Sequence, residues 1–159
     1  VLNLQNADAV RSAYAAMRDN LLKHVQASDI TGIIVRKMIP SGKEVILGAN
    51  RDPNFGHILM FGLGGIYVEA FKDVTFRVVP IHGGTANRMI KSLRSYSVLT
   101  GLRGEAPSDT ASIEDCLNRL SQLVADFPRI AELDINPLIV HPKDEGSHVA
   151  DVRIRLQNQ

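Results

Sequence analysis

Apolar residues follow two different spacings along this chain, and the spacing changes from segment to segment. Val10, Ala13, Tyr14, Met17 and Leu21 recur at helical intervals, which predicts a helix from about Ala7 to about Val25 capped by Asn6 or Asp8. Ile30 to Ile39 and Glu44 to Gly48 are β-favouring runs on either side of Pro40-Ser41-Gly42, and they predict adjacent strands. Asn50 to Gly56 reads as a loop and Ile58 to Phe61 as a short strand that Gly62-Leu63-Gly64-Gly65 breaks. Ile66 to Phe71 and Val74 to Val79 read as two further strands. Thr85 is placed to cap a second helix through Met89, Ile90 and Leu93. Ser108-Asp109 opens a third, whose Ile113, Leu117, Leu120, Val124 and Phe127 form one apolar stripe that Pro128 stops. The chain closes on a hairpin, Glu132 to Val140 and His148 to Leu156, around a turn at Pro142 to Gly146. Strands and helices mix without strict βαβ alternation. That predicts an α+β fold with a largely antiparallel sheet.

The closing hairpin carries the first candidate chemistry. A turn centred between Lys143 and Asp144 sets Glu132 opposite Arg155, Asp134 opposite Arg153 and Asn136 opposite Asp151. Side chains alternate along a strand, so these six share one face, while Leu133, Ile135, Val152 and Ile154 share the other and are expected in the core. Two of the polar pairs have a plain explanation as cross-strand ion pairs on a solvated face. Asn136 opposite Asp151 does not, because it sets two oxygen ligands side by side with no cation between them. Mg²⁺ takes a few hard protein oxygens and fills its octahedron with water and phosphate. Pro137 fixes the backbone next to Asn136. A one-residue slip in register would separate the two ligands.

Composition narrows the partners. Eighteen basic against seventeen acidic residues leave a net charge of +1, which offers no basic surface for nucleic acid. Aromatics are 5% and Trp is absent, so base-stacking platforms are not expected. The uncharged run from His57 to Val68 is interrupted by Gly62, Gly64 and Gly65 and falls short of the roughly 20 apolar residues of a membrane span. Cys116 stands alone, which excludes an intramolecular disulfide and a cysteine zinc cage, and the reducing cytoplasm is the expected compartment. The start at Val1-Leu2-Asn3-Leu4 lacks Met and a polar lead-in, and reads as a piece of a longer or processed protein. Gly62 to Gly65 could bring backbone N–H groups to a phosphate, but it lacks the Lys-Ser/Thr of a P-loop and reads first as a turn.

Five segments then occur in one order: Glu44-Val45-Ile46-Leu47-Gly48, Asp52-Pro53-Asn54-Phe55-Gly56, Met60-Phe61-Gly62-Leu63-Gly64-Gly65-Ile66-Tyr67-Val68-Glu69, Leu102-Arg103-Gly104 and Glu132-Leu133-Asp134-Ile135-Asn136-Pro137-Leu138. Together they resemble the ATP-grasp domain of NDP-forming acyl-CoA synthetases, relatives of the succinyl-CoA synthetase β subunit, over essentially the whole chain. The resemblance implies the second lobe of an ATP-grasp fold, a mostly antiparallel sheet flanked by helices. Residues 1–159 would then be the C-terminal portion of that domain, with the first lobe and its nucleotide-contacting Lys lying before it. It implies an acid–CoA ligase in which a phosphohistidine on a mobile loop of the CoA-binding part exchanges its phosphoryl group with ATP or ADP. By the same resemblance Asn136 and Asp151 are Mg²⁺ ligands and Glu44 is a nucleotide-binding residue. Val35, Arg36, Met38 and Ile39 fall in the hinge whose backbone reaches the adenine, with Arg36 where relatives carry Gln or Glu. Arg153 is a candidate phosphate contact, and Glu69 a structural or orienting residue. Two further departures are His57 for a Pro and Val152 for an Ala.

The expected partner is the CoA-binding part, in the same polypeptide or in a partner subunit. CoA would be bound there, neither nucleic acid nor membrane is expected, and oligomerisation is left open. The chain alone is expected to be inactive. Two other readings stand beside the ligase: a non-catalytic nucleotide-binding regulatory module next to an acetyltransferase, and a structural scaffold.

Overall fold

The computed structural model describes residues 1–65, 72–102 and 104–157. The predicted strand Ile66 to Phe71, with Glu69, and residue Arg103 lie outside them. The chain forms two compact units, Val1–Pro40 and Ser41–Gln159.

In the first unit, helix α1 spans Ala7–Leu21. The Asn6 side chain accepts the Ala9 N–H at 2.8 Å, satisfying one of the helix's orphan donors. The helix ends short of Val25, because the His24 and Val25 N–H groups both turn back to the Leu21 carbonyl. None of its residues is buried. Residues 30–40 are not a strand, contrary to expectation. Their Ile and Val content favours a pleated surface only beside a pairing neighbour, and no strand pairs with them among the described residues.

The second unit is a six-stranded antiparallel sheet carrying helices on one face. Its strands are β1 (Lys43–Asp52), β2 (Gly56–Leu63), β3 (Val74–Val78), β4 (Ile130–Val140), β5 (Ser147–Val149) and β6 (Val152–Leu156). They run in the order β3-β2-β1-β4, and β5 and β6 follow one another along the outer edge of β4. The predicted loop at Asn50 to Gly56 shrinks to a tight turn, because the Asp52 carboxylate accepts the Asn54 and Phe55 N–H groups and the strands run on to either side.

Helix α2 (Thr85–Lys91) starts from Gly84 in the left-handed region at φ 72°, so Gly84 and not Thr85 is its cap. Helix α3 (Thr110–Asp126) starts from Asp109, whose carboxylate accepts the Ser112 N–H at 3.0 Å. Ile113, Leu117, Leu120 and Val124 pack down on Val45, Leu47, Leu59 and Phe61 of the sheet. Each fully buried Leu, Ile or Phe contributes about 1.5–3 kcal/mol. Phe127, expected on that stripe, lies beyond the last turn and is exposed.

A bulge separates two phases of β4. Val45 pairs with Leu138 and Leu47 with Ile135, so Ile46 alone stands across from Asn136 and Pro137, whose peptide is cis. Core-facing positions change there from Leu133 to Leu138 and Val140. Bulges of this kind re-aim side chains beside functional sites.

Candidate functional site

The observed ladder has the expected register. Glu132 pairs with Arg155, Leu133 with Ile154, Asp134 with Arg153 and Ile135 with Val152. The Asn136 N–H donates to the Asp151 carbonyl at 3.1 Å, which sets these two residues directly opposite, with both side chains on the face away from the helices. Both are exposed, and among the described residues neither side chain has a hydrogen-bond partner. Of the two expected ion pairs, Arg155–Glu132 forms at 3.0 Å. No ion pair joins Arg153 to Asp134 among the described residues, although the guanidinium stands close enough to pull the Asp134 carboxyl down. Burial and the neighbouring Glu132 charge outweigh it, and Asp134 is pushed above the ordinary carboxylate range.

The opposite face of β6 is not core. Val152, Ile154 and Leu156 are 48%, 53% and 54% exposed, because the helices cover β1, β2 and β4 and stop short of the outer edge. Leu133, their neighbour on β4, is buried as expected.

Glu44 stands on β1 beside core-facing Val45, and therefore on the same sheet face as Asn136, Asp151 and Arg153. The glycine run explains its setting. The Gly64 N–H donates to the Glu44 carbonyl at 2.7 Å, and a Cβ on Gly64 would lie 2.9 Å from the Glu44 Cβ. Gly62 similarly leaves room for Val74 and the Asp73 carbonyl. These glycines thus serve close backbone approach. A cleft of about 230 Å³ opens over Glu44, Gly64, Gly65 and Val98. Val35, Arg36, Met38 and Ile39 lie in the part of the first unit that is neither helix nor strand, with Val35 and Met38 exposed.

Asn136 and Asp151 suit a hard divalent cation. Among the described residues no group of three or more His, Cys, Asp or Glu gathers into a metal cage, so a zinc-type site is not built. Two adjacent oxygen donors open to solvent fit Mg²⁺, which draws its remaining ligands from water and phosphate.

Some features escaped the sequence reading. His141 is buried, and its Nε2 stands 2.8 Å from His148 Nδ1. The two histidines flank the β4–β5 turn, and that spacing was the available signal. Asp109 does more than cap α3, since its second carboxylate oxygen accepts the Gly146 N–H at 2.9 Å and ties that turn to the helix. Cys116 is half-buried, and burial pushes its thiol up, in keeping with a structural residue.

Comparison with known proteins gives a consistent picture. The ATP-grasp domain family matches residues 1–156. A 4-hydroxybutyrate–CoA ligase (ADP-forming) from Nitrosopumilus maritimus is 43% identical over 155 residues, 98% of this chain and 22% of that protein. The β subunit of acetate–CoA ligase (ADP-forming) II from Pyrococcus furiosus is 42% identical over 158 residues, 99% of this chain and 67% of the subunit. A solved acetyl-coenzyme A synthetase from Ca. Korarchaeum cryptofilum superposes with a TM-score of 0.85 at 41% identity, covering 99% of this chain and 67% of that one. The chain therefore spans about a fifth of the first relative and two thirds of the others. No helix among the described residues is long and apolar enough to cross a membrane. By its sequence over residues 1–156 and by its fold, the chain belongs to the ATP-grasp domain family, in the branch that includes ADP-forming acid–CoA ligases.

Proposed function

We propose that this chain is the C-terminal, Mg·nucleotide-holding portion of the ATP-grasp domain of an ADP-forming acid–CoA ligase, working with a CoA-binding part that supplies the phosphoryl-accepting histidine. The observation that carries the reading is the pair Asn136 and Asp151, opposed and without side-chain partners among the described residues, on the sheet face that also bears Glu44 and Arg153. The Korarchaeum relative supports it, having been solved with coenzyme A and Mg-AMPPCP and with its phosphohistidine segment pointing towards the nucleotide binding site.

In this reading Asn136 Oδ1 and the Asp151 carboxylate hold Mg²⁺. Glu44 and the backbone of Val35 to Ile39 position the nucleotide, and Arg153 contacts phosphate. The Mg²⁺ supplies neutralisation of the charge on the nucleotide phosphates. CoA and the acid bind elsewhere in the ligase.

The test is a pair of substitutions in the complete ligase, Asp151→Asn and Asn136→Ala. Asp151→Asn keeps the shape and removes one negative charge. Turnover should fall by orders of magnitude, because the lost interaction acts on charge in the transition state, while the melting temperature stays within error. A ligase at full turnover with a stability loss of about 0–1 kcal/mol would instead make Asp151 a surface ion-pair partner.

A further inference from the structure

Two histidines at the β4–β5 turn take no part in the contacts proposed above, yet they stand on the same sheet face. Leu138 and Val140 face the helices, so their β5 partners Val149 and Ser147 do too, and Cys116 Sγ of α3 lies 3.9 Å from Ser147 Oγ. His148, between those two, belongs to the opposite face. It pairs with Ile139, and Ile139 pairs in turn with Glu44. Glu44, Ile139 and His148 therefore form one row across β1, β4 and β5, with neighbouring strands about 4.8 Å apart. His141, two residues beyond Ile139, falls on that face as well.

The hydrogen bonds decide which ring nitrogen is free. His141 is 5% exposed, and its backbone is held from both sides: its N–H donates to the Gly146 carbonyl at 3.0 Å and its carbonyl accepts the Asp109 N–H at 2.9 Å. His141 Nδ1 faces the Ser41 carbonyl at 3.4 Å, and a carbonyl only accepts, so Nδ1 carries the proton. His141 Nε2 is then the acceptor, and His148 Nδ1, 2.8 Å away, donates to it. The rings meet edge to face, with centroids 4.9 Å apart and planes at 71°. His148 is exposed and keeps a bare lone pair on Nε2, which has no partner among the described residues. A surface ring that would otherwise rotate is thus held by a buried neighbour, with one acceptor left over.

The next step rests on the function proposed above, which sets the nucleotide phosphates at Asn136 and Asp151 and the rest of the nucleotide towards Glu44. His148 lies three residues before Asp151, at most about 10 Å along the edge of the sheet and in the row of Glu44. That is the reach of a triphosphate chain from its metal-bound end to its sugar. Phosphate oxygens only accept and do not suit a bare lone pair. The sugar hydroxyls are the first donors the nucleotide offers beyond them. We infer that His148 Nε2 accepts a hydrogen bond from a ribose hydroxyl of the bound nucleotide, with His141 as a positioning residue that sets the tautomer and angle of the His148 ring. The pair then favours ribonucleotides over nucleotides whose sugar lacks the hydroxyls.

The experiment uses the complete ligase and measures KM and kcat with Mg·ATP and with the Mg²⁺ complex of 2′,3′-dideoxyATP. The wild type should show a KM for dideoxyATP about fivefold to tenfold higher than for ATP, the scale of one lost hydrogen bond. His148→Ala should raise the KM for ATP by about the same factor and hold the KM for dideoxyATP within about twofold. Its kcat should change little, because the sugar contact is the same before and during phosphoryl transfer. His148→Gln, which sets an amide oxygen near the Nε2 position, should recover most of the loss. His141→Phe should raise the KM for ATP and not that for dideoxyATP, a selectivity that a merely structural role would not produce. A wild type that uses both nucleotides equally well, or a His148→Ala loss of the same size with both, overturns the inference and leaves the proposed function standing. A wild-type ligase that neither binds nor turns over Mg·ATP overturns the function and this inference together.

Discussion

Replacing Gly64 by alanine presses on the backbone that carries Glu44. The new methyl carbon would lie 2.9 Å from the Glu44 Cβ, 3.0 Å from its carbonyl oxygen and 3.1 Å from its carbonyl carbon. Carbon contacts favour about 3.5–4.0 Å, so the strand or the glycine loop must move by roughly half an ångström. The 2.7 Å hydrogen bond from the Gly64 N–H lengthens with it. Overpacking against backbone costs about 1–3 kcal/mol. For a unit of this size that is a fall in melting temperature of roughly 4–12 °C, at about 4 °C per kcal/mol. Thermal unfolding by circular dichroism measures the first effect, and a Mg·nucleotide titration of the complete ligase measures the displacement of Glu44. Gly65→Ala is the control. Among the described residues a Cβ there meets nothing within 4 Å, and the cost is the φ of +60°, about 1–2 kcal/mol, with no push on Glu44. Nucleotide affinity should fall for Gly64→Ala and hold for Gly65→Ala. An unchanged melting temperature in Gly64→Ala, or equal nucleotide losses in both variants, would refute the reasoning.

Other outcomes follow from the same packing. Asp109→Ala removes a helix cap and strands the Gly146 N–H, and should cost about 2–4 kcal/mol by denaturant unfolding. The Ser112 N–H, with further help from that of Gly146, holds the Asp109 carboxyl below its usual range, so its stabilisation is present above the ordinary carboxylate range and is lost as the pH falls through that range and on through the lowered value of the folded state. The acid limb of the stability profile should flatten in the variant. Leu133→Ala should cost about 2–5 kcal/mol while Ile154→Ala, its exposed ladder partner, costs under about 1 kcal/mol, as denaturation midpoints at equal slope would show.

The closing hairpin was legible because two local signals agreed. Pro142 to Gly146 marks the turn, and polar and apolar residues alternate in step on both sides of it, so a single register satisfies both strands. That register puts Asn136 opposite Asp151 without reference to any relative. What alternation does not encode is which face another layer covers. Ile154 and Leu133 share one face, yet the helices reach only Leu133, and the expected core ended one strand too far out. Residues 30–39 failed for a related reason, since β-branched content needs a paired neighbour, and among the described residues no strand pairs with them. The clamp between Gly64 and Glu44, and the bulge across from Ile46, depend on distances between strands and left no mark in the one-dimensional pattern. The resemblance to the ATP-grasp domain supplied the family and the fold class, and there the family match and the antiparallel sheet agree with it.

The central claim concerns where the metal sits. Crystals of the complete ligase with Mn²⁺ in place of Mg²⁺ and a non-hydrolysable ATP analogue would locate it by anomalous scattering. The account predicts a peak bridging Asn136 Oδ1, the Asp151 carboxylate and the nucleotide phosphates, with metal–oxygen distances of about 2.1 Å. A nucleotide bound with its metal ion away from both side chains would contradict it.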